Sequence, residues 1–301
     1  MSPKPVTRRD FLKVAAAAPL AGAAVPAVRG LSPSTARAPA GDKVRVVLVR
    51  DPAPLGPGGA PPAEVVQRML DDGVRALLGE QDVVKAWKSL IGPDDVVGIK
   101  TNSWRYIPTT AEVEQALKRR VMDAGVAEDR IGIDDQGVLR HPVFQKATAL
   151  VNARPMRSHY WSGVGSLIKN YIMFAPRPSA WHGDACADLA KIWDLPAVKG
   201  KTRLNVLVMF TPLFHSVGPH NYAKEYTWDY KGLILSRDPV AADATGLRVI
   251  QAKRREHFGD DRPLPVAPHH IRLADTRHHL GTSDPARIEL VKLGWAEGAM
   301  I

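Results

Sequence analysis

The sequence predicts an α/β protein, a mostly parallel sheet with helices on both faces, and three observations carry that prediction. First, short β-branched runs alternate with longer amphipathic stretches over the first half of the chain, in the order strand, helix, strand, helix, strand. Second, no disulfide framework, internal repeat or heptad pattern points to another architecture, and the lone Cys186 cannot form a bridge within the chain. Third, the residues that end the strands are polar, where open α/β sheets place their ligands.

Val44 to Val49 is the first buried strand, followed by a breaker-rich loop from Pro52 to Pro62. Val65, Val66, Met69, Val74, Leu77 and Leu78 recur at helical spacing and predict a helix over Ala63 to Leu78. A second helix spans Asp82 to Leu90 and stops before Gly92-Pro93. Asp95 to Lys100 is the next strand. Thr109-Thr110-Ala111-Glu112 has the pattern of a capping box opening a helix to about Ala124. Arg130 to Asp135 closes the unit as a third strand.

The stretch Asn152 to Pro196 lacks a clear period and reads as loops and short helices over the sheet. Leu204 to Phe210 and Lys231 to Ser236 return to strand. Asp238 then serves as N-cap and Pro239 as first helical residue of a helix reaching about His257. Asp284 to Leu293 is expected to form a last helix.

The N-terminus carries a different message. Arg8-Arg9-Asp10-Phe11-Leu12-Lys13 precedes an uncharged run from Val14 to Val28 that is too short to span a bilayer and rich in Ala. This resembles a twin-arginine export signal, so residues 1–27 are expected to be a leader cleaved near Ala27, with the twin-arginine translocase as partner during export and a periplasmic destination. Residues 28–43 form a Pro/Ala-rich linker, and 44–301 a single α/β domain with no transmembrane segment. The leader's net charge of +3 leaves about +7 of the formal +10 on the mature part, which favours small anionic partners. The basic residues are scattered, which argues against nucleic acid. One cysteine excludes an iron–sulfur cluster held by this chain alone.

The candidate site residues follow from the strand ends and the unusual loops. Lys100 and Asn102 follow one strand, and Asp134 and Asp135 another. His215 and His220 follow a third, and His182 lies near Asp184 and Cys186. His182, His215 and His220 supply imidazoles for a transition metal, although no His-x-x-x-His spacing accompanies them; the alternative is that they bond backbone or an anion. The glycine-rich Gly163 to Asn170 leads into an apolar helix with Lys169 in its early turns, and its backbone N–H groups are candidates to receive a carboxylate or phosphate. It lacks the spacing of a phosphate-binding P-loop. Asp243, among alanines, is expected to face a polar pocket or a basic partner. Cys186 reads as a small core residue, and His269-His270 and His278-His279 as surface.

Val97 to Asn102, Gly163 to Asn170, and Ser236 to Asp243 together resemble the domain-of-unknown-function 362 family over about Val44 to Ile250. That resemblance implies an α/β fold, frequent twin-arginine export and metal or redox work. A weaker likeness to the N-terminal part of lactate racemase implies isomerisation of 2-hydroxy acids. Carried over by position, the motif residues are Lys100, Asn102, Lys169, Asn170, Asp238 and Asp243, with His159 and His182 between them. The expected protein binds a metal or a small anion, with Lys100, Lys169 and His182 as catalytic groups and Asn102, Asn170, Asp238 and Asp243 as ligand contacts. The competing expectation is a non-catalytic accessory or ligand-binding protein for an exported redox enzyme.

Overall fold

The computed structural model describes residues 43–216 and 222–301. The leader, its expected cleavage site and nearly all of the linker, together with His220, lie outside the described residues.

Strands β1 (Val44–Arg50), β2 (Val97–Lys100), β3 (Ile131–Asp134), β4 (Ala149–His159), β5 (Gly163–Gly165), β6 (Thr202–Leu213), β7 (Gly232–Ser236) and β8 (Ile288–Gly294) form one sheet. Its order is β3-β2-β4-β6-β7-β1-β8, with β5 paired to the end of β4. The β3/β2, β2/β4, β4/β6 and β1/β8 pairs are parallel. Strand β7 runs antiparallel to both neighbours, and β5 folds back antiparallel on β4. The fold is α/β with a mostly parallel sheet, as the alternating elements predict.

Side chains alternate between two faces, and each face has its own core. Val47, Val49, Ile99, Val151 and Val206 meet helices α1 (Ala63–Leu78), α2 (Val83–Leu90) and α3 (Ala111–Asp123). Val46, Leu48, Leu150, Met156, Leu207 and Ile234 meet the other face's helices, after α4 (Pro142–Lys146): α5 (Leu167–Asn170), α6 (Pro239–Phe258) and α7 (His269–Thr276). Close approach explains Gly246 of α6, where a Cβ would lie 2.4 Å from Leu207. Among the described residues, no helix is long and apolar enough to cross a membrane.

Several local expectations hold and others need correction. Asp238 caps α6 by accepting from the N–H groups of Val240 and Ala241, and Asp82 does the same for α2 through Val84 and Lys85. Helix α3 starts as expected, but Thr110 makes no side-chain capping bond. The Thr109 hydroxyl accepts from the Asn102 N–H at 3.0 Å and donates to the Ala153 carbonyl at 3.2 Å, tying the β2 loop to β4.

The expected last helix is strand β8, parallel to β1 over Val44–Arg50. The apolar residues of Ile288–Gly294 fit either period, and pairing with the open edge of β1 decides between them. The stretch read as irregular from Asn152 contains the greater part of β4, a central strand. Asn152, Arg154, Pro155 and Arg157 break its apolar pattern, and of these Arg154 and Arg157 line the site.

Candidate functional site

The site lies beyond the carboxyl ends of β2, β3 and β4, the position expected in an open parallel sheet. Strand β4 builds its floor. Arg154 and Arg157 are three apart, a spacing that would send their side chains to opposite faces of a regular strand. The β4/β6 register shifts between Pro155 and Arg157. That irregularity re-aims the strand, so both side chains line the same cavity of about 240 Å³. Gly165 of the neighbouring β5 makes room for Arg154, since a Cβ there would lie 2.8 Å from Arg154 Nη2.

The remaining walls come from loops after the strands. Asn102 and Trp104 follow β2, Asp135 follows β3, His159 and Trp161 close β4, and Lys169, Asn170 and His182 arrive from the other side. The Arg157 guanidinium lies 4.0 Å over the Trp104 ring. The His182 ring packs on Trp161 at 4.6 Å.

Behind the wall a polar network holds the geometry. Lys100 Nζ is fully buried and donates to the Thr101 carbonyl at 2.7 Å, Asp135 Oδ1 at 2.5 Å and Asn170 Oδ1 at 3.3 Å. Asp135 Oδ2 accepts from the Ser103 N–H and hydroxyl. Asn170 Nδ2 donates to Asn152 Oδ1 at 2.8 Å, and Asn152 Nδ2 to Asn205 Oδ1 at 3.0 Å. Asn205 Nδ2 ends the chain on the Arg237 carbonyl. Each buried amide in this ladder is partnered, which fixes β2, β4, β6 and α5 relative to one another. Lys100 is therefore an ion-paired prop beneath Asp135 and Asn170 and does not line the cavity.

Asp243 is also fully buried. It accepts from the Ser166 hydroxyl at 2.6 Å and from the N–H groups of Leu167 and Ile168, both at 2.9 Å. The N–H groups at the start of α5, expected to receive a ligand anion, are thus occupied by a carboxylate of the protein itself. Asp238 has a structural role as well, capping α6 and accepting from the Thr282 N–H.

The cavity residues carry an excess of positive charge. Burial lowers the Arg154 pKa to about 10, against the attraction of Asp135 and Asp243. Burial, and then repulsion from Arg154, lowers Arg157 to about 9. Among the described residues, neither Nε atom has a hydrogen-bond partner. Lys169 is 3% exposed, and its Nζ finds among the described residues a single hydrogen-bond partner, Cys186 Sγ at 3.7 Å. Burial brings its pKa to about 8; the repulsion of Arg154 and Arg157 adds to that effect, while Cys186 opposes it. For Lys100 burial likewise gives about 8, despite Asp135. Burial works to raise the Asp135 pKa, yet the charge and hydrogen bonds of Lys100 and the Ser103 bonds leave it lowered.

The histidines around the cavity are neutral at pH 7. Burial, followed by Lys169, Arg157 and Arg154, holds His159 well below the usual range. Its Nδ1 accepts from the Trp161 N–H at 3.2 Å, which assigns the ring proton to Nε2. Burial and Lys169 lower His182 too. His270, expected on the surface, is fully buried on the inner side of α7, where burial and then Lys169 and Arg154 hold its pKa to about 3. His269, its neighbour on the outer side, is exposed.

The wall segment after His182 is strained. Asp184, Ala185 and Cys186 all have positive φ, at 46°, 49° and 65°. Each such non-glycine residue costs about 1–2 kcal/mol. Strain of this kind is kept where surrounding packing over-determines it, commonly at functional sites. Here it seats the buried Cys186 thiol against Lys169 and the Trp161 carbonyl.

Of the sequence candidates, the structure brings Asn102, Lys169, Asn170 and His182 to one cavity. His215 packs elsewhere, with its Nδ1 3.2 Å from Arg254 Nη1 and its ring against Tyr226 and Phe258. His182 lines the cavity and His215 does not, and among the described residues no three His, Cys, Asp or Glu side chains form a cluster fit for a metal ion. The sequence candidates Asp135 and His159 line it too, and Arg154, Arg157, Trp104 and Trp161 complete the site. The fold and site define an α/β protein with a cationic cavity at its strand ends. Comparisons with family models, curated proteins and solved structures returned no match.

Proposed function

We propose that this chain is exported by the twin-arginine route and binds a small organic acid or oxyanion in the cavity above β4. The observation that carries this reading is the pair of buried guanidinium groups, Arg154 and Arg157, whose Nε donors face no partner, beside a Lys169 with no carboxylate. An unpaired buried charge is costly, and such a cluster is retained where a ligand completes it.

The cavity of about 240 Å³ is smaller than the roughly 300–1,000 Å³ of sites for drug-sized molecules. Its ligand has few heavy atoms. Trp104, Trp161, Ile172 and Met173 offer apolar surface to a short carbon body, while the arginines hold the anionic head. Neutral His159, with its proton on Nε2, and Lys169 near its titration point equip the site for proton transfer.

Calorimetric titration of the purified protein with acetate, glycolate and phosphate tests the reading. One saturable site is expected for at least one of these anions, weakened tenfold or more in Arg157→Met and in Lys169→Met. Equal heats in the wild type and both variants would refute it.

A further inference from the structure

Two buried lysines stand in this part of the molecule, and their surroundings differ. Lys100 is held by Asp135, Asn170 and the Thr101 carbonyl, all of them acceptors suited to an ammonium. Lys169 lines the cavity and, among the described residues, has one hydrogen-bond contact, the Cys186 sulfur at 3.7 Å. Burial raises the Cys186 pKa, which favours the neutral thiol, and the pull of Cys186 on the Lys169 ammonium is outweighed by burial. A lysine that is desolvated and set beside other cations becomes a nucleophile near neutral pH. Burial and the repulsion of Arg154 and Arg157 act on Lys169 in that direction, while both arginines stay charged. The same small cavity therefore presents an amine and a place for a carboxylate.

We propose that Lys169 forms an imine with the carbonyl of a small 2-oxo acid whose carboxylate lies on Arg154 and Arg157. This rests on the anion-binding reading above. A 2-oxo acid is the shortest molecule that carries both groups the cavity addresses.

The neutral Lys169 Nζ attacks the carbonyl carbon, forming the C–N bond as the C–O π pair moves to oxygen. The carbinolamine then loses that oxygen as water. Both hydrogens of the water come from the amine, so no oxidant or reductant takes part. His159, with Nε2–H available, is the cavity group suited to pass a proton between nitrogen and oxygen.

The test is reductive trapping on the whole protein, with pyruvate as probe and sodium cyanoborohydride as hydride donor, followed by peptide mass mapping. Calorimetric titrations with pyruvate and acetate run in parallel. The expected result is a reduced adduct on the peptide containing Lys169, absent when acetate replaces pyruvate. In Lys169→Arg the adduct is lost while the thermal unfolding midpoint stays within a few degrees of the wild type's. Pyruvate that binds by calorimetry yet leaves Lys169 unmodified overturns the imine and leaves the anion site standing. Failure of both acids to bind overturns both. An adduct spread over surface lysines and undiminished in Lys169→Arg also overturns the imine. Should Lys169→Arg not fold, the wild-type peptide map alone decides.

Discussion

Arg154→Met separates a residue kept for a ligand from one kept for stability. The fall in the Arg154 pKa from 12.5 to about 10 corresponds to about 3 kcal/mol of disfavoured charge, at about 1.36 kcal/mol per unit. Replacement by an unbranched apolar side chain of similar length removes that cost. That figure already contains the attraction to Asp135 and Asp243; because relaxation and water penetration relieve part of a buried charge's cost, the net gain is on the order of 1–2 kcal/mol. For a domain of this size that is a rise in Tm of about 2–6 °C without ligand. Urea and thermal denaturation with and without a saturating small anion measure both halves of the prediction. The wild type gains about 2.7 kcal/mol at an anion concentration 100 times its Kd, and the variant gains little. A variant less stable than the wild type by about 1 kcal/mol or more without anion would refute the reasoning, because it would make Arg154 a paired structural cation.

Three further outcomes follow from the same geometry. Gly165→Ala sets a Cβ 2.8 Å from Arg154 Nη2, so it is expected to displace the guanidinium and cut anion affinity about tenfold, or about 1.4 kcal/mol, with a small change in stability; unchanged affinity by calorimetry contradicts this. Burial raises the Asp243 pKa to about 6, so its folded form holds a proton that the unfolded chain releases near 3.9. Stability from this group therefore falls as pH rises from about 4 to about 6 and is level above, and the wild-type minus Asp243→Asn difference in urea midpoint should slope in that window alone. Lys169 loses its charge as pH rises through about 8, between the cavity's Arg154 and Arg157 and beside Cys186, His159, His182 and His270. Affinity for an anion of fixed charge should therefore decline between pH 7 and 8 in the wild type and hold nearly level over that interval in Lys169→Met, where Arg157, held at about 9, titrates only above it, as calorimetry at constant ionic strength will show.

The fold was legible wherever one period dominated. Helix α1 repeats its apolar residues at helical spacing, and α6 announces itself through Asp238 and Pro239. Strand β8 was misread because seven residues with apolar positions on both periods do not distinguish strand from helix; its partner β1 does. The site was legible in part. Asn102, Lys169, Asn170 and His182 stand out as polar residues after strands or beside glycines, and the cavity unites them. Arg154 and Arg157 were hidden by the feature that makes them useful. They lie inside a strand whose apolar pattern they interrupt, and their convergence depends on a register shift against β6. The alternation of Asn152 and Arg154 with apolar Val151 and Ala153 was the signal available. His215 shows the reverse case, a histidine after a strand that packs among aromatic rings and against Arg254 and does not line the cavity.

The central claim is that the buried cations above β4 exist to hold an oxyanion. Crystals grown or soaked with selenate, read by anomalous diffraction at the selenium edge, test it most directly. An anomalous peak is expected in the cavity, within hydrogen-bond reach of Arg154, Arg157 and Lys169, and none there in Arg154→Met. Peaks confined to surface basic residues, with the cavity side chains unchanged and empty of selenium, would contradict it.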